Sequence, residues 1–327
     1  MLRSLPALAP LLSSALLLAA TPALAGEDPP DAPGAASSQP TTAATTQQPT
    51  TPAAQPTTAT AQQPTTATAQ QPTTAADPWY RFRPQVELGF LAVLSHRVQF
   101  GRQGTYFDYV RQGGQDNLYF FARLSIDVEL ARQHNLTFLY QPLELDTRAQ
   151  LASDLVVDEA RFPRGTPMSF KYGFPFYRFS YAYDLFQDDA RELSFGLSAQ
   201  IRNATIEFAT TDGEVLKSYR NIGFVPLLRS RGRYTFSNGL FIGHEIDAIY
   251  APIRGVNGSD NEVTGALVDA SVRVGLKLPL RSEAFLNVRY LAGGATGQSD
   301  PEDFSDGYTK NWLQFLSVSL GGTISSF

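Results

Sequence analysis

The sequence predicts an all-β chain whose strands close into an antiparallel transmembrane barrel of about ten strands, preceded by a signal peptide and an unstructured spacer. Three observations carry that expectation: apolar residues recur with period two over long runs, short and long connections alternate, and the first 25 residues address the chain for export.

The export segment has Arg3 as its positive start, an apolar run from Leu5 to Ala20 interrupted by Pro10, and Ala23-Leu24-Ala25 as a small-x-small cleavage site. The run is short and broken for a helix that must cross ~30 Å of hydrocarbon, so residues 1–25 are expected to be a cleaved signal peptide. Residues 26–78 are expected to be a disordered periplasmic spacer. Ala32 to Ala76 carries no charge, repeats the form Gln-Gln-Pro-Thr-Thr at Gln47, Gln62 and Gln70, and lacks large apolar side chains. Nothing in it offsets the entropy of ordering, and its prolines favour solvated, extended backbone. The barrel is expected over 79–327.

Composition narrows the chemistry. The chain has 327 residues, no cysteine, and a formal net charge of −5. Disulfides, zinc–thiolate sites and thiol catalysis are excluded. No clustered positive charge points to nucleic acid as a partner.

From Trp79 onward the pattern is that of a pleated strand. In 118–131, Leu118, Phe120, Ala122, Leu124, Ile126, Val128 and Leu130 share one face, while Arg123, Asp127 and Glu129 lie opposite. The same alternation marks 192–202 and 265–279. Such runs exceed the five or six residues usual in soluble sheets and suit a membrane strand of ~9–11. Ten strands are expected at about 84–99, 118–131, 135–147, 170–185, 192–208, 222–236, 239–253, 265–278, 284–295 and 312–326. Short turns fall near 133–135, 187–191, 237–239 and 279–283, and long polar loops near 100–117, 148–169, 209–221, 254–264 and 296–311. Strict alternation of that kind, with an even strand count, belongs to barrels with short periplasmic turns and long extracellular loops. Both chain ends then fall on the short-turn side.

On these residues, about 80–327 resembles the small, roughly ten-stranded bacterial outer-membrane β-barrel proteins. The resemblance implies the outer membrane of a Gram-negative bacterium as location, membrane lipids as surroundings, and contact with the barrel-assembly machinery through the terminal aromatic Phe327. Phe327 has the opposite parity to Trp312, Leu316, Val318 and Leu320, so a bulge at Gly321-Gly322 is expected to restore the phase. The spacer is placed where it can meet peptidoglycan. Aromatics are expected in two girdles: Tyr183, Phe186, Phe195, Tyr234, Phe236, Phe241 and Phe285 near the short turns, and Phe120, Tyr250, Tyr290 and Trp312 near the long loops.

The inward parity collects both signs of charge: Arg123, Asp127, Glu129, Arg178, Asp184, Arg202, Glu245, Asp247, Asp269, Arg273, Lys277 and Arg289. A barrel of this size is barely wider than one its side chains fill, so these groups are expected to pair into a charge network. The alternative is a narrow, porin-like channel. His96, His134 and His244 are the three histidines. His244 and Glu245 are adjacent and must face opposite sides of a strand, which argues against a local dyad. The acidic run Asp300, Glu302, Asp303, Asp306 lacks the spacing of a calcium loop. No cofactor or metal is expected. The function read from the sequence is a structural, binding or narrow-channel role. The alternatives are a hydrolase at the extracellular rim and a soluble periplasmic barrel binding an apolar ligand. Pro142, Pro175, Pro226 and Pro252 fall inside candidate strands and are expected to break or bulge their ladders.

Overall fold

The computed structural model describes residues 79–186, 188–254, 262–298 and 305–326. The expected signal peptide and spacer, the start of the acidic run at Asp300–Asp303, and Phe327 lie outside the described residues.

Ten long strands form the wall: β1 (Tyr80–Phe100), β3 (Leu118–Leu130), β4 (His134–Gln141), β9 (Phe176–Asp184), β10 (Arg191–Thr210), β11 (Leu216–Thr235), β12 (Leu240–Arg254), β13 (Glu262–Leu278), β14 (Ser282–Gln298) and β15 (Tyr308–Ile324). Each pairs antiparallel with its neighbours, and β15 pairs back onto β1, which closes the ring. Five short strands lie in the long connections: β2 (Phe107–Asp108), β5 (Glu144–Gln150), β6 (Leu155–Val157), β7 (Ala160–Phe162) and β8 (Pro167–Gly173).

Period two explains the wall. Val86, Leu88, Phe90, Leu124, Ile126, Leu197, Ile201, Val272, Val274, Leu286 and Val318 all lie exposed on the outer face. Their alternates, among them Glu87, Arg123, Asp127, Asp269, Arg289 and Ser317, are buried inside. A soluble protein does not leave such a continuous apolar surface in water, whereas hydrocarbon requires it and also requires a wall without edges.

The short turns are tight. Ala131 and Arg132 have φ of 49° and 62°, and Leu280 and Arg281 have φ of 59° and 54°. Two consecutive positive-φ residues make the hairpin twist match the strands, and the position favours Asn or Gly. Arg281→Gly is therefore expected to stabilise the barrel by about 1 kcal/mol. A rise in the urea midpoint of the vesicle-embedded protein checks it.

Several expectations need correction. Gly321-Gly322 holds no bulge: the β1–β15 register runs unbroken from Gln85↔Thr323 to Val93↔Phe315, and the irregularity falls instead at Leu94, between Val93 and Ser95. Gly321 has another use. A Cβ there would lie 2.2 Å from the Phe285 ring, and a Cβ on Gly275 would lie 2.5 Å from the Phe241 ring. Phe241 and Phe285 thus lie inside the lumen, 1% and 4% exposed, seated on glycines of the next strand, and do not belong to the outer girdle.

The prolines divide. At Pro142 and Pro175 the ladder does break: β4 pairs with β9 as far as Gln141↔Phe176, and β5 resumes with β8 at Glu144↔Gly173. Pro226 and Pro252 sit in continuous ladders opposite Ala199 and Thr264. Past the break β5 pairs with β8, and β8 takes up the top of β10 from Thr205 to Thr210. The expected polar loops near 100–117 and 148–169 are consequently not plain loops. They contribute Phe107, Tyr109, Leu151, Leu155, Val157, Phe162 and Met168 to a buried apolar core. Their wall partners are Leu91, Val93, Phe121, Leu139, Phe208, Leu291, Leu313 and Phe315.

Candidate functional site

The interior has two floors. The outer one is the apolar core just described. Phe107 packs at 5.1 Å from both Tyr109 and Phe170, and Phe100 stacks on Tyr219 at 3.9 Å between ring centroids. The inner floor, towards the short turns, is a network of ions.

Arg178 on β9 stands at its centre with no exposed surface. Its guanidinium donates to Asp247 and to Asp269, both at 2.8 Å, and to Gln200 at 3.0 Å. Asp269 also accepts from Arg289 at 2.5 Å and from Arg123 at 3.3 Å. Asp247 accepts from Arg229 at 2.8 Å and from the Ser198 hydroxyl at 2.5 Å. Glu245 takes Arg273 at 2.9 Å and Arg123 at 3.3 Å. Nearer the turns, Arg231 bridges Asp127 and Glu192, both at 2.9 Å. Glu87 is held by Gln85, Asn287 and Ser319 at 2.9, 2.8 and 3.0 Å. Burying an ion is expensive unless it is paired and its remaining hydrogen bonds are met. Here six arginines (123, 178, 229, 231, 273, 289) face six carboxylates (87, 127, 192, 245, 247, 269), contributed from strands all round the ring.

Of the residues marked by inward parity, Arg123, Asp127, Arg178, Glu245, Asp247, Asp269, Arg273 and Arg289 meet in this network. Four stand apart. Glu129 lies at the short-turn mouth, 3.4 Å from Arg83. Asp184 accepts the backbone N–H groups of Phe186 and Leu193 at 3.1 and 2.9 Å and so pins the β9–β10 turn. Lys277 lines the mouth. Arg202 lies above the network, its guanidinium carbon 5.7 Å from the Phe174 ring centroid. Glu87, Glu192, Arg229 and Arg231 belong to the network and were missed. The signal was available, since Arg229, Arg231 and Arg233 share one parity, as do Gln85 and Glu87.

The mouth is an opening of about 400 Å³, lined by Arg81, Arg83, Glu129, Lys277, Arg281 and Glu283 among others. Arg233 seals its inner side, paired with Glu283 at 2.6 Å and lying 3.8 Å over the Phe241 ring. In the turn that borders it, the hydrogen bond from Arg81 holds the Asp189 carboxyl below its ordinary range.

The histidines take no part in a reactive group. His134 bonds the Tyr181 hydroxyl at 2.9 Å. His244 lies on the outer face over Gly232, 3.3 Å from the Ser230 hydroxyl, with Glu245 pointing inward. His96 is fully buried between Tyr109 and Tyr172 and bonds Gln115 at 2.8 Å. Among the described residues, no three His, Asp or Glu side chains are grouped to hold a metal ion.

A closed antiparallel ring, apolar on its outer face and carrying an ion network inside, defines a bacterial outer-membrane β-barrel protein, resident in the outer membrane. Comparison with solved structures finds distant likenesses. The outer membrane protease OmpT from Escherichia coli matches at 10% identity, over 75% of this chain and 97% of that one, with a TM-score of 0.44. The transport unit of the autotransporter AIDA-I from Escherichia coli matches at 8% identity, over 79% and 93%, with a TM-score of 0.37. Ail, the attachment invasion locus protein of Yersinia pestis, matches at 8% identity, over 73% and 98%, with a TM-score of 0.27. No protein-family model and no curated protein sequence matches the chain. At such identities and scores no activity is carried from these proteins to this one.

Proposed function

We propose that this protein is a closed outer-membrane barrel with a structural and binding role, whose lumen is a packed interior and not a conduit. The observation that supports the reading is Arg178. It is fully buried and reaches from β9 across the lumen to Asp247 on β12 and Asp269 on β13. An ion that crosses must displace a paired guanidinium, and above it must pass the aromatic core. The same packing supports binding at the wall and at the mouth, where the open volume faces the short-turn side. The proposal extends to partners: the assembly machinery through Phe327 and peptidoglycan beside the spacer. The apolar outer face is the reason for preferring this to a soluble periplasmic barrel.

Planar-bilayer recording tests the reading. Folded wild-type protein is expected to give a silent membrane. Regular conductance steps from protein shown to be folded by its heat-modifiable gel mobility would overturn it.

A further inference from the structure

One seam of the wall is not laced to its top. β11 and β12 pair from Thr235↔Phe241 to Leu228↔Ala248. Above that point β11 continues to Leu216 against β10, and β12 continues to Arg254 against β13. Among the described residues each shows one bare backbone edge. Register gives the height. Leu228, Pro226 and Phe224 lie opposite Leu197, Ala199 and Ile201 of β10, whose outer face then turns polar at Asn203, Thr205 and Glu207. The gap therefore opens within the apolar band and ends at its outer border.

Pro226 and Pro252 flank this gap. Each stays in an unbroken ladder with its far neighbour, which a residue without an N–H does when its nitrogen faces away from that ladder. Both nitrogens then face the seam. Two donors are absent where hydrocarbon would leave them unmet.

Behind the seam stands Arg202. It occupies the space over Gly223, where a Cβ would lie 2.6 Å from its Nε. Among the described residues no carboxylate pairs with it, and its Nε is buried without a partner. Every arginine of the ion network below is paired; this one is not. Deeper still lie Tyr172, His96, Tyr109 and Gln115, joined by ring contacts of 4.3 and 4.4 Å and a hydrogen bond of 2.8 Å, with Tyr109 Oη and Gln115 Nε2 buried and unpartnered. A lone cation backed by hydroxyl, imidazole and amide groups suits an oxyanion.

We propose that the phosphate of an outer-leaflet membrane lipid docks on Arg202 through the seam between β11 and β12, with an acyl chain lying against Ile222, Phe224 and Tyr250. Three things select that occupant. The seam opens into the bilayer, so lipid is what stands there. Arg202 lies between Ile201 and Asn203, at the border where headgroups begin. Its forked N–H groups fit two phosphate oxygens. Ile222, Phe224 and Tyr250 are 76%, 66% and 72% exposed, a bare surface for the chain.

Photolabelling tests this. The full chain is folded into phosphatidylcholine vesicles containing phosphatidylglycerol with a diazirine on its acyl chain, illuminated, and mapped by peptide mass. Labelling of 222–228 and 249–252 is expected to exceed that of the fully paired β13–β14 belt roughly fivefold. Arg202→Gln is expected to reduce it to belt level, and Arg202→Lys to retain most of it, with gel mobility showing that both variants fold. Even labelling round the belt, or a folded Arg202→Gln protein labelled as wild type, overturns the proposal. So does loss of labelling in millimolar inorganic phosphate, which assigns Arg202 to the free ion. Stronger seam labelling by a diazirine fatty acid than by the phospholipid assigns it to a carboxylate and overturns it as well.

Discussion

Asp269→Ala is expected to destabilise the folded barrel by about 3–5 kcal/mol, the range seen when one partner of a buried ion pair is removed. Asp269 accepts from three guanidiniums, those of Arg289, Arg178 and Arg123. Alanine returns none of those bonds and leaves excess positive charge in a space walled by protein and lipid. Arg178 and Arg123 keep Asp247 and Glu245, so the loss falls hardest on Arg289, whose remaining carboxylate, Glu87, is 4.0 Å away. Urea unfolding in lipid vesicles, followed by gel mobility, measures the effect. Adding Arg289→Met to Asp269→Ala is expected to recover part of the loss, because it removes the stranded charge. A single substitution costing less than about 1 kcal/mol would mean that water enters the lumen and solvates the network.

Val272→Arg is expected to cost about 2–4 kcal/mol, the penalty for an arginine at mid-membrane on a lipid-facing strand. Val272 is 48% exposed on the outer face, between His244 and Val288 in the ladder. Its neighbour Ser271 faces inward, is 4% exposed, and has a hydroxyl with no partner. Ser271→Ala therefore removes no bond and is expected to change stability by less than about 1 kcal/mol. Unfolding midpoints of the two variants, measured in the same vesicles, decide the facing of β13. Equal shifts would reverse it.

These two positions also show what the sequence made legible and what it did not. Val272 and Ser271 are assigned to their faces by alternation alone, since a strand has only two faces and hydrocarbon tolerates only one kind of residue. The same rule puts Arg123, Arg178 and Asp269 on the inner face, and applied to β11 it adds Arg229 and Arg231. Pairing across the lumen was not legible. Which carboxylate Arg178 meets depends on strand tilt and stagger, and period two carries neither. The outer floor was misread for a different reason. Phe107, Tyr109 and Phe162 stand among glycines, arginines and aspartates in stretches without periodicity, so nothing local shows that they turn inward. A trace did exist in β1, where the inward residues change from Gln85 and Glu87 to Leu91 and Val93. That change marks the height at which the interior stops being ionic.

The join between β1 and β15 has a consequence for how the wall comes into being. The amide of Phe82 donates to the hydroxyl of Ser326, 244 positions along the chain, at 3.2 Å. No shorter stretch of the polypeptide contains both halves of that contact. Every nascent fragment is a sheet with two raw margins, and a margin is what a hydrocarbon solvent penalises most. The gain from closure arrives in one step, after the last strand has been made. Contacts so distant in sequence are slow to find by diffusion. Assembly is therefore governed by the rarest encounter and not by the strength of the average one.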